Sequence, residues 1–133
     1  MKIQINNKHT IDFKNDLDGD WYGEIFLNNI NFEFSFYNQE SIDWNEIKNR
    51  IEYFEKHCPT IIEITNKGVK GYLSSLGWEL NLEYDIECIE IPLQKNRKDD
   101  FILMPNFYDD PYVVWTAHIF DKNGPTLRKV LRE

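Results

Sequence analysis

The segment that decides the fold is WYGEIFLNNINFEFSFY, which spans residues 21–37. Apolar and polar residues alternate on both sides of Asn28 and Asn29, and asparagine tolerates the left-handed backbone that a tight turn requires. Such a turn predicts a hairpin whose inward-facing pairs are Leu27 with Ile30, Ile25 with Phe32, Gly23 with Phe34 and Trp21 with Phe36. Because these residues share one face, that face is predicted to form part of the core.

The opposite face of this hairpin carries acidic and aromatic side chains, namely Tyr22, Glu24, Phe26, Asn31, Glu33, Ser35 and Tyr37. The predicted register places Glu24 opposite Glu33, and like charges in that arrangement are unfavourable for folding. Aromatic anchors ringed by acids suit a protein interface that receives arginine and lysine. We therefore predict that Tyr22, Glu24, Phe26 and Glu33 contribute to a partner-binding surface.

A second acidic stretch covers residues 79–87, where apolar residues alternate with four carboxylates and one asparagine. The alternation predicts a strand over residues 78–88 that places Glu83, Asp85 and Glu87 on one polar face, a candidate to bind a cationic partner. A solvated strand face is one alternative. A carboxylate-dependent hydrolase is another, because alternate strand residues lie roughly 6.5 to 7 Å apart, within the separation used by inverting glycosidases. An open strand face lacks the cleft that catalysis needs, so we expect a non-enzymatic protein.

A helix is predicted to follow Asp43, which is a good N-cap with Glu46 three residues later. Its predicted buried stripe consists of Ile47, Ile51, Phe54 and Cys58. Pro59 is predicted to end this helix. A broken second helix is expected over residues 59–76, with Gly77 as its stop.

The remaining strands are predicted from shorter patterns. A loop at residues 6–8 gives an amino-terminal hairpin that places Ile3 opposite Ile11. A change in the phase of the alternation predicts a bulge near Cys88. Residues 101–107 and 112–121 are predicted as two further strands, and residues 126–132 as either a last helix or an edge strand.

This order of elements, strands, helix and then strands without regular alternation, indicates an α+β fold. We expect an antiparallel sheet of roughly five to seven strands with one or two helices packed on one face. The other face should be at least partly open to water and should carry the acidic residues. The turn between the strands at 101–107 and 112–121 forms a second candidate patch, in which we expect Asp109 and Asp110 to contribute to partner binding.

Length, composition and charge restrict the class of protein. The 133 residues fit a single globular domain covering residues 1–133, and 41% are hydrophobic. The formal net charge of −8 argues against nucleic acid or an anionic membrane as the partner and favours a cationic protein. We expect no signal peptide and no membrane span, because no apolar run in the sequence is long enough for either. Cys58 and Cys88 are expected to be reduced thiols, with a single disulfide as the alternative, and reduced thiols go with the expected cytoplasmic location.

The sequence lacks the motifs of common catalytic and metal sites. Residues 16–20 depart from an EF-hand loop, because Gly19 stands at the fourth position and Leu27 at the twelfth. The histidines have no metal-ligand spacing, and His118 is expected to be a structural or surface residue. No phosphate-binding glycine loop and no nucleophile elbow are present. We therefore expect no catalytic residue, no cofactor and no metal.

The run Asp-Trp-Tyr-Gly-Glu-Ile-Phe-Leu at residues 20–27, followed by a turn and the strand at residues 31–37, resembles the opening of several small bacterial families. Many of these lack an assigned function, and some are immunity proteins of polymorphic toxin and contact-dependent inhibition systems. The later order of helix, acidic strand and aromatic closing strands is similar as well. The resemblance implies a cytoplasmic, acidic, non-enzymatic protein that occludes a toxin domain.

The leading hypothesis is an immunity-type inhibitor whose acidic, aromatic surface blocks a cationic toxin domain, such as a nuclease. The residues predicted to bind this partner are Glu24, Glu33, Glu83, Asp85, Glu87, Tyr22, Phe26, Asp109 and Asp110. A structural or homo-oligomeric domain is the first alternative and a carboxylate-dependent hydrolase the second. The sequence leaves the oligomeric state open.

Overall fold

The computed structural model describes residues 1–37 and 41–133, which form nine strands and one helix. The helix is α1, Trp44–Ser75. The strands are β1 Lys2–Ile5, β2 His9–Asp12, β3 Lys14–Asn15, β4 Asp20–Leu27, β5 Ile30–Tyr37, β6 Tyr84–Glu90, β7 Phe101–Phe107, β8 Trp115–Asp121 and β9 Pro125–Arg132. Strands β3 to β9 form one seven-stranded sheet in chain order, whereas β1 and β2 form a separate hairpin. The predicted α+β fold is confirmed.

The large sheet is mixed, which corrects the prediction of an antiparallel sheet. Strands β5 and β6 run parallel, and every other pair of neighbours in the sheet runs antiparallel. The cause is the connection between the two strands. Helix α1 returns the chain from the end of β5 to the start of β6, and a crossover of this kind is what a parallel pair requires.

Helix α1 is one continuous element of 32 residues, so the predicted end at Pro59 is wrong. Pro59 lies on the exposed side of the helix, where it removes one backbone hydrogen bond. Packing outweighs that loss, because helical stability in proteins comes mainly from a buried apolar face. The buried face contains the predicted stripe and continues beyond it, through Ile47, Ile51, Phe54, Cys58, Ile61, Thr65, Val69 and Leu73.

Both predicted ends of the helical region are confirmed. Asp43 Oδ1 accepts hydrogen bonds from the backbone amides of Asn45 at 3.1 Å and Glu46 at 3.2 Å. At the other end Gly77 has φ of 72°, and the amide of Trp78 donates to the carbonyl of Leu73 at 3.0 Å. Backbone groups that a helix leaves without partners are thus satisfied at both ends.

Both hairpins have the register that the sequence predicts. Ile3 pairs with Ile11 across the first turn, and Glu24 pairs with Glu33 beside the second. The turns contain asparagines with positive φ, namely Asn6, Asn7, Asn28 and Asn29. Local turn geometry therefore fixes which side chains of β4 and β5 face outward.

Strand β6 begins at Tyr84, so the prediction of a strand over residues 78–88 is wrong for its first part. Tyr84 pairs with Phe107, the last residue of β7, and in the described part of the chain no strand pairs with the residues just before Tyr84. Leu80, one of the apolar residues of that alternation, is 50% exposed. A register shift beside Cys88 confirms the predicted bulge.

The three carboxy-terminal strands complete the sheet. Strand β7 has the predicted bounds, and β8 begins at Trp115, later than the predicted residue 112. Residues 125–132 form the edge strand β9, which decides between the two alternatives left by the sequence. Strand β9 pairs along the whole of β8 and also contacts α1.

The inner face of the sheet is covered by α1 and by the β1–β2 hairpin, and the outer face is left free by these elements. In the core, the ring of Phe54 on α1 lies 5.4 Å from that of Phe32 and 5.2 Å from that of Phe34, measured between centroids. A second buried cluster, near the end of α1, consists of Val69, Leu73, Phe107 and Trp115. The core therefore has two centres along one long helix.

Gly23 on β4 lies directly under the β1–β2 hairpin. A Cβ atom at this position would lie 2.5 Å from Ile11 Cγ2 and 3.0 Å from Phe13 Cδ1. We expect Gly23→Ala to lower the free energy of unfolding by about 1–3 kcal/mol, because the added methyl group overpacks the layer. Urea denaturation followed by circular dichroism measures the loss.

Gly71 on α1 provides the matched control. A Cβ atom added there has no heavy atom within 4 Å. Gly71→Ala is expected to raise the free energy of unfolding by about 0.5–1 kcal/mol, because alanine loses less backbone entropy in a helix. An unchanged stability of Gly23→Ala would contradict the close approach of the hairpin to β4.

Candidate protein-binding surface

The two acidic stretches of the sequence lie next to each other on the outer face of the sheet. Glu33 on β5 pairs with Glu24 on β4 and with Cys88 on β6. The next residues in this register, Phe34 and Ile89, are fully buried. Because side chains alternate between faces, the row that contains Glu33 points outward. The register thus brings the acids of the hairpin up to β6.

The thiol of Cys88 lies among carboxylates from two strands. Burial raises the pKa of the Cys88 thiol, and the negative charges of Glu33 and Glu87 raise it further. Glu87 is exposed at the bulge of β6. Both cysteines, Cys58 and Cys88, are free. Glu33 on β5 and Glu87 on β6 therefore contribute negative charge to one region.

Tyr108, which follows β7, lies among the remaining acids. Its hydroxyl donates a hydrogen bond to Asp85 Oδ2. This hydrogen bond raises the pKa of Tyr108, and so do burial and the charges of Asp85, Glu83 and Glu87. Glu83 and Glu87 are exposed and Asp85 is half-buried. The three acids predicted from the alternation therefore lie around one phenol, although Glu83 precedes the strand.

The acidic surface is the name used below for Glu24, Glu33, Glu83, Asp85 and Glu87. None of these five carboxylates forms a salt bridge with any residue in the described ranges. Like charges on neighbouring strands repel each other. The folded chain therefore carries an unfavourable electrostatic energy that a cationic partner would relieve.

Exposed aromatic side chains lie on the same outer face, on β4 and β5. Tyr22 is 38% exposed, Phe26 60% and Tyr37 62%. Tyr22 and Phe26 alternate along β4 with Glu24, so apolar and acidic groups are interleaved. This combination matches the composition of protein interfaces, in which aromatic residues are enriched.

The two predicted acids in the turn after β7 differ in their surroundings. Asp109 is exposed, whereas Asp110 is half-buried. Asp110 Oδ2 accepts hydrogen bonds from Arg132 Nε at 2.9 Å and from Trp115 Nε1 at 2.8 Å. Both hydrogen bonds lower the pKa of Asp110, and the one from Arg132 has the larger effect. The charge of Asp110 is thus matched within the protein, where it links the turn to β8 and β9.

The sequence gives no signal for a buried network on the outer face of β8. Asp99, in the loop before β7, is buried and accepts hydrogen bonds from Arg128 Nε at 2.6 Å and His118 Nδ1 at 2.8 Å. Thr116 Oγ1 lies 3.0 Å from His118 Nε2. Burial raises the pKa of Asp99, but the hydrogen bonds from Arg128 and His118 outweigh burial and lower it. His118 therefore joins this loop to β8.

A groove of about 990 Å³ is lined by three residues of the acidic surface, Glu83, Asp85 and Glu87, which corrects the expectation that these acids lie on an open strand face without a cleft. Residues of α1 form its floor, including Ile62, Asn66 and Lys70. One wall is the β4–β5 turn with the start of β5, and the other is residues 80–87 with Tyr108. The hydroxyl of Tyr84 donates a hydrogen bond to Asn66 Oδ1, which holds the acidic wall against the helix.

Within the described residues, no three His, Cys, Asp or Glu side chains are arranged to hold a metal ion. Over the same ranges, no helix combines the length and the apolar character that crossing a membrane would require. Comparisons of the chain with models of protein families, with curated proteins and with solved structures found no match.

Proposed function

We propose that this protein is a non-enzymatic, immunity-type inhibitor that binds a cationic toxin domain in the cytoplasm through the acidic surface. The observation that carries the proposal is the convergence of carboxylates from β4, β5 and the β6 region without salt-bridge partners among the described residues. Tyr22 and Phe26, exposed between these acids, supply the apolar anchors that a stable interface needs.

A nuclease domain is the toxin that suits this surface best. An enzyme that binds nucleic acid presents lysine and arginine to the phosphates of its substrate. Carboxylates spaced along neighbouring strands can pair with the same groups and cover them. The formal net charge of −8 adds to this field and speeds the encounter with a cationic partner.

The exposed aromatic residues also favour a second candidate, a homo-oligomer that buries Phe26 and Tyr37. Two copies joined at this face would bring Glu24 and Glu33 of one copy near those of the other, which disfavours the contact. Sedimentation equilibrium separates the candidates. A stable dimer that Phe26→Ser dissociates would support the oligomer, and a monomer would support the inhibitor.

The gene next to the one that encodes this chain provides the test of function. It is expected to encode a large secreted protein with a small basic carboxy-terminal domain. That domain should arrest growth when it is produced alone and should be tolerated when this chain is produced with it. Growth arrest that persists in the presence of this chain would contradict the proposal.

Neutralising three carboxylates of the acidic surface should weaken binding to that domain. We expect Glu24→Gln/Glu33→Gln/Glu87→Gln to raise the Kd at low salt by about tenfold or more, because close charge pairs across an interface contribute about 1.5 kcal/mol or more. Much of the change should appear as slower association. Calorimetry measures the Kd and stopped-flow fluorescence measures the rate.

A second triple variant removes the same charge elsewhere, at the exposed residues Asp18, Glu63 and Glu133. Asp18→Asn/Glu63→Gln/Glu133→Gln should change the Kd by about twofold or less, since charges outside an interface act only through the weak long-range field. Equal weakening by both triple variants would show that net charge, and not this surface, governs binding. The difference between the variants should disappear at high salt.

A further inference from the structure

Strands β5 and β6 are parallel neighbours, yet their pairing covers only three residues of each, 33–35 and 88–90. The earlier parts of both strands diverge. Residues 84–86 pair with β7 on one side, Glu87 lies at the bulge, and no described residue pairs with residues 84–87 on the side that faces β5. The sheet therefore contains an open strand edge in its middle as well as at its two ends. Unpaired backbone groups on such an edge can bind another strand.

The groove described above opens at this divergence. It is lined by the start of β5 and by residues 80–87, so the open edge of β6 faces space and not another element. Four strand residues span about 13 Å at roughly 3.3 Å per residue. The opening thus suits an extended segment of about four to six residues, with α1 beneath it.

The charge along the groove selects the kind of segment. Glu83, Asp85 and Glu87 line it, and Lys70 is the single basic residue among the lining residues of the groove. Ile62 and Leu80 add apolar contacts. Carboxylates along an open edge discourage pairing with a second copy, which presents the same charges, and favour a segment that carries lysine or arginine.

We propose that this groove binds an extended, lysine- or arginine-bearing segment of the partner protein, which adds a strand to residues 84–87 of β6. The inference rests on the proposed binding function and specifies how the partner is bound, by addition of a strand. Backbone hydrogen bonds to β6 hold the segment. Side chains that alternate along it place basic groups against the carboxylates and apolar groups against Ile62 and Leu80.

The probe is a blocked hexapeptide, acetyl-Lys-Val-Lys-Val-Lys-Val-amide, titrated into isotopically labelled protein and followed by NMR. We expect the amide shifts to concentrate at residues 30–32 and 84–87. Hydrogen exchange should slow at those amides of residues 84–87 that face β5, because only these gain partners from the added strand. A peptide that shifts no amide in either segment at millimolar concentration overturns the proposal.

Two peptide controls separate strand addition from simple charge attraction. The same sequence with every backbone amide N-methylated keeps its charge and loses its donors, and it should bind about tenfold more weakly or not at all. A peptide with glutamate in place of lysine should not bind. Equal binding by the N-methylated peptide would overturn strand addition.

Protein variants test the acidic wall. Glu83→Gln/Glu87→Gln should weaken binding of the lysine peptide by about tenfold. The control Asp18→Asn/Glu133→Gln, which removes the same charge outside the groove, should weaken it by about twofold or less. Equal effects of the two double variants would overturn the assignment of the segment to this groove.

The toxin domain distinguishes failure of this inference from failure of the proposed function. If the domain binds and perturbs the amides around Glu24 and Glu33 but leaves those of residues 84–87 unchanged, the binding function stands and the groove inference fails. If the domain neither binds nor is neutralised, the proposed function fails. Peptide binding in the groove would then still report an acidic site for extended basic segments.

Discussion

Trp115→Ala is expected to lower the free energy of unfolding by about 3–5 kcal/mol, because removal of a buried tryptophan leaves a large cavity. The side chain is 1% exposed. Its ring centroid lies 4.6 Å from that of Phe107 and 5.3 Å from that of Tyr72. Its Nε1–H donates to Asp110 at 2.8 Å, so the substitution also leaves a carboxylate with one donor fewer. Chemical denaturation followed by circular dichroism measures the loss.

Trp78 supplies the control for this prediction. It is 36% exposed, Arg132 Cζ lies 5.0 Å from its ring centroid, and its ring centroid lies 6.2 Å from that of Trp115. Trp78→Ala should therefore cost less than Trp115→Ala, about 1–2 kcal/mol, because its side chain is only partly buried. If Trp115→Ala does not fold, Trp115→Phe tests the same site, since it loses only the hydrogen bond and some volume, about 1–3 kcal/mol. Equal losses at Trp78 and Trp115 would contradict the prediction.

The cluster around Trp115 also positions the acidic wall of the groove. Leu82 and Tyr84 are half-buried and pack against this cluster. Strand pairing begins only at Tyr84. The residues just before it are held by side-chain packing and by a hydrogen bond from the backbone amide of Tyr108 to the carbonyl of Glu83. A wall held in this way can adjust locally when a segment binds, whereas the sheet beyond it stays fixed.

The outer face of the β4–β5 hairpin was predictable because its register depends on local chemistry alone. Two asparagines with positive φ form the turn, and from there alternation places Glu24 opposite Glu33. The single helix was not predictable from local chemistry, because Pro59 favours a break. The helix continues through Pro59 because residues on both sides of it pack against the sheet, and this tertiary packing is not visible in the local sequence.

The two acidic stretches lie side by side because of contacts between residues that are distant in sequence. Glu33 and Cys88 become neighbours only because α1 is long enough to return the chain and make β5 and β6 parallel. The alternation over residues 78–88 predicted a polar face but not which neighbouring strand would lie beside it. Nor did it predict the groove, which arises because β5 and β6 pair at one end only.

Asp99→Asn is expected to lower the free energy of unfolding near neutral pH by about 2–4 kcal/mol, because hydrogen bonds to a charged group contribute strongly. The amide NH2 of asparagine would also place a donor against the donors of Arg128 and His118. Asp99 is 7% exposed, and Arg128 binds it with both Nε, at 2.6 Å, and Nη2, at 2.7 Å. Asp109→Asn, at an exposed aspartate, should change the stability by about 0.5 kcal/mol or less. Urea denaturation measures both.

The pH dependence of this loss separates charge from shape. The partners of Asp99 lower its pKa in the folded protein. A carboxyl group with a lowered folded-state pKa contributes its stability above its unfolded-state pKa, about 3.9, and loses it as the pH falls through the folded-state value. The difference between the wild type and Asp99→Asn should therefore be full near neutral pH and shrink below about pH 4. If the difference in stability between the wild type and Asp99→Asn stays unchanged in acid, the loss comes from the shape of the asparagine amide and not from the missing charge, which would contradict the charge-based account.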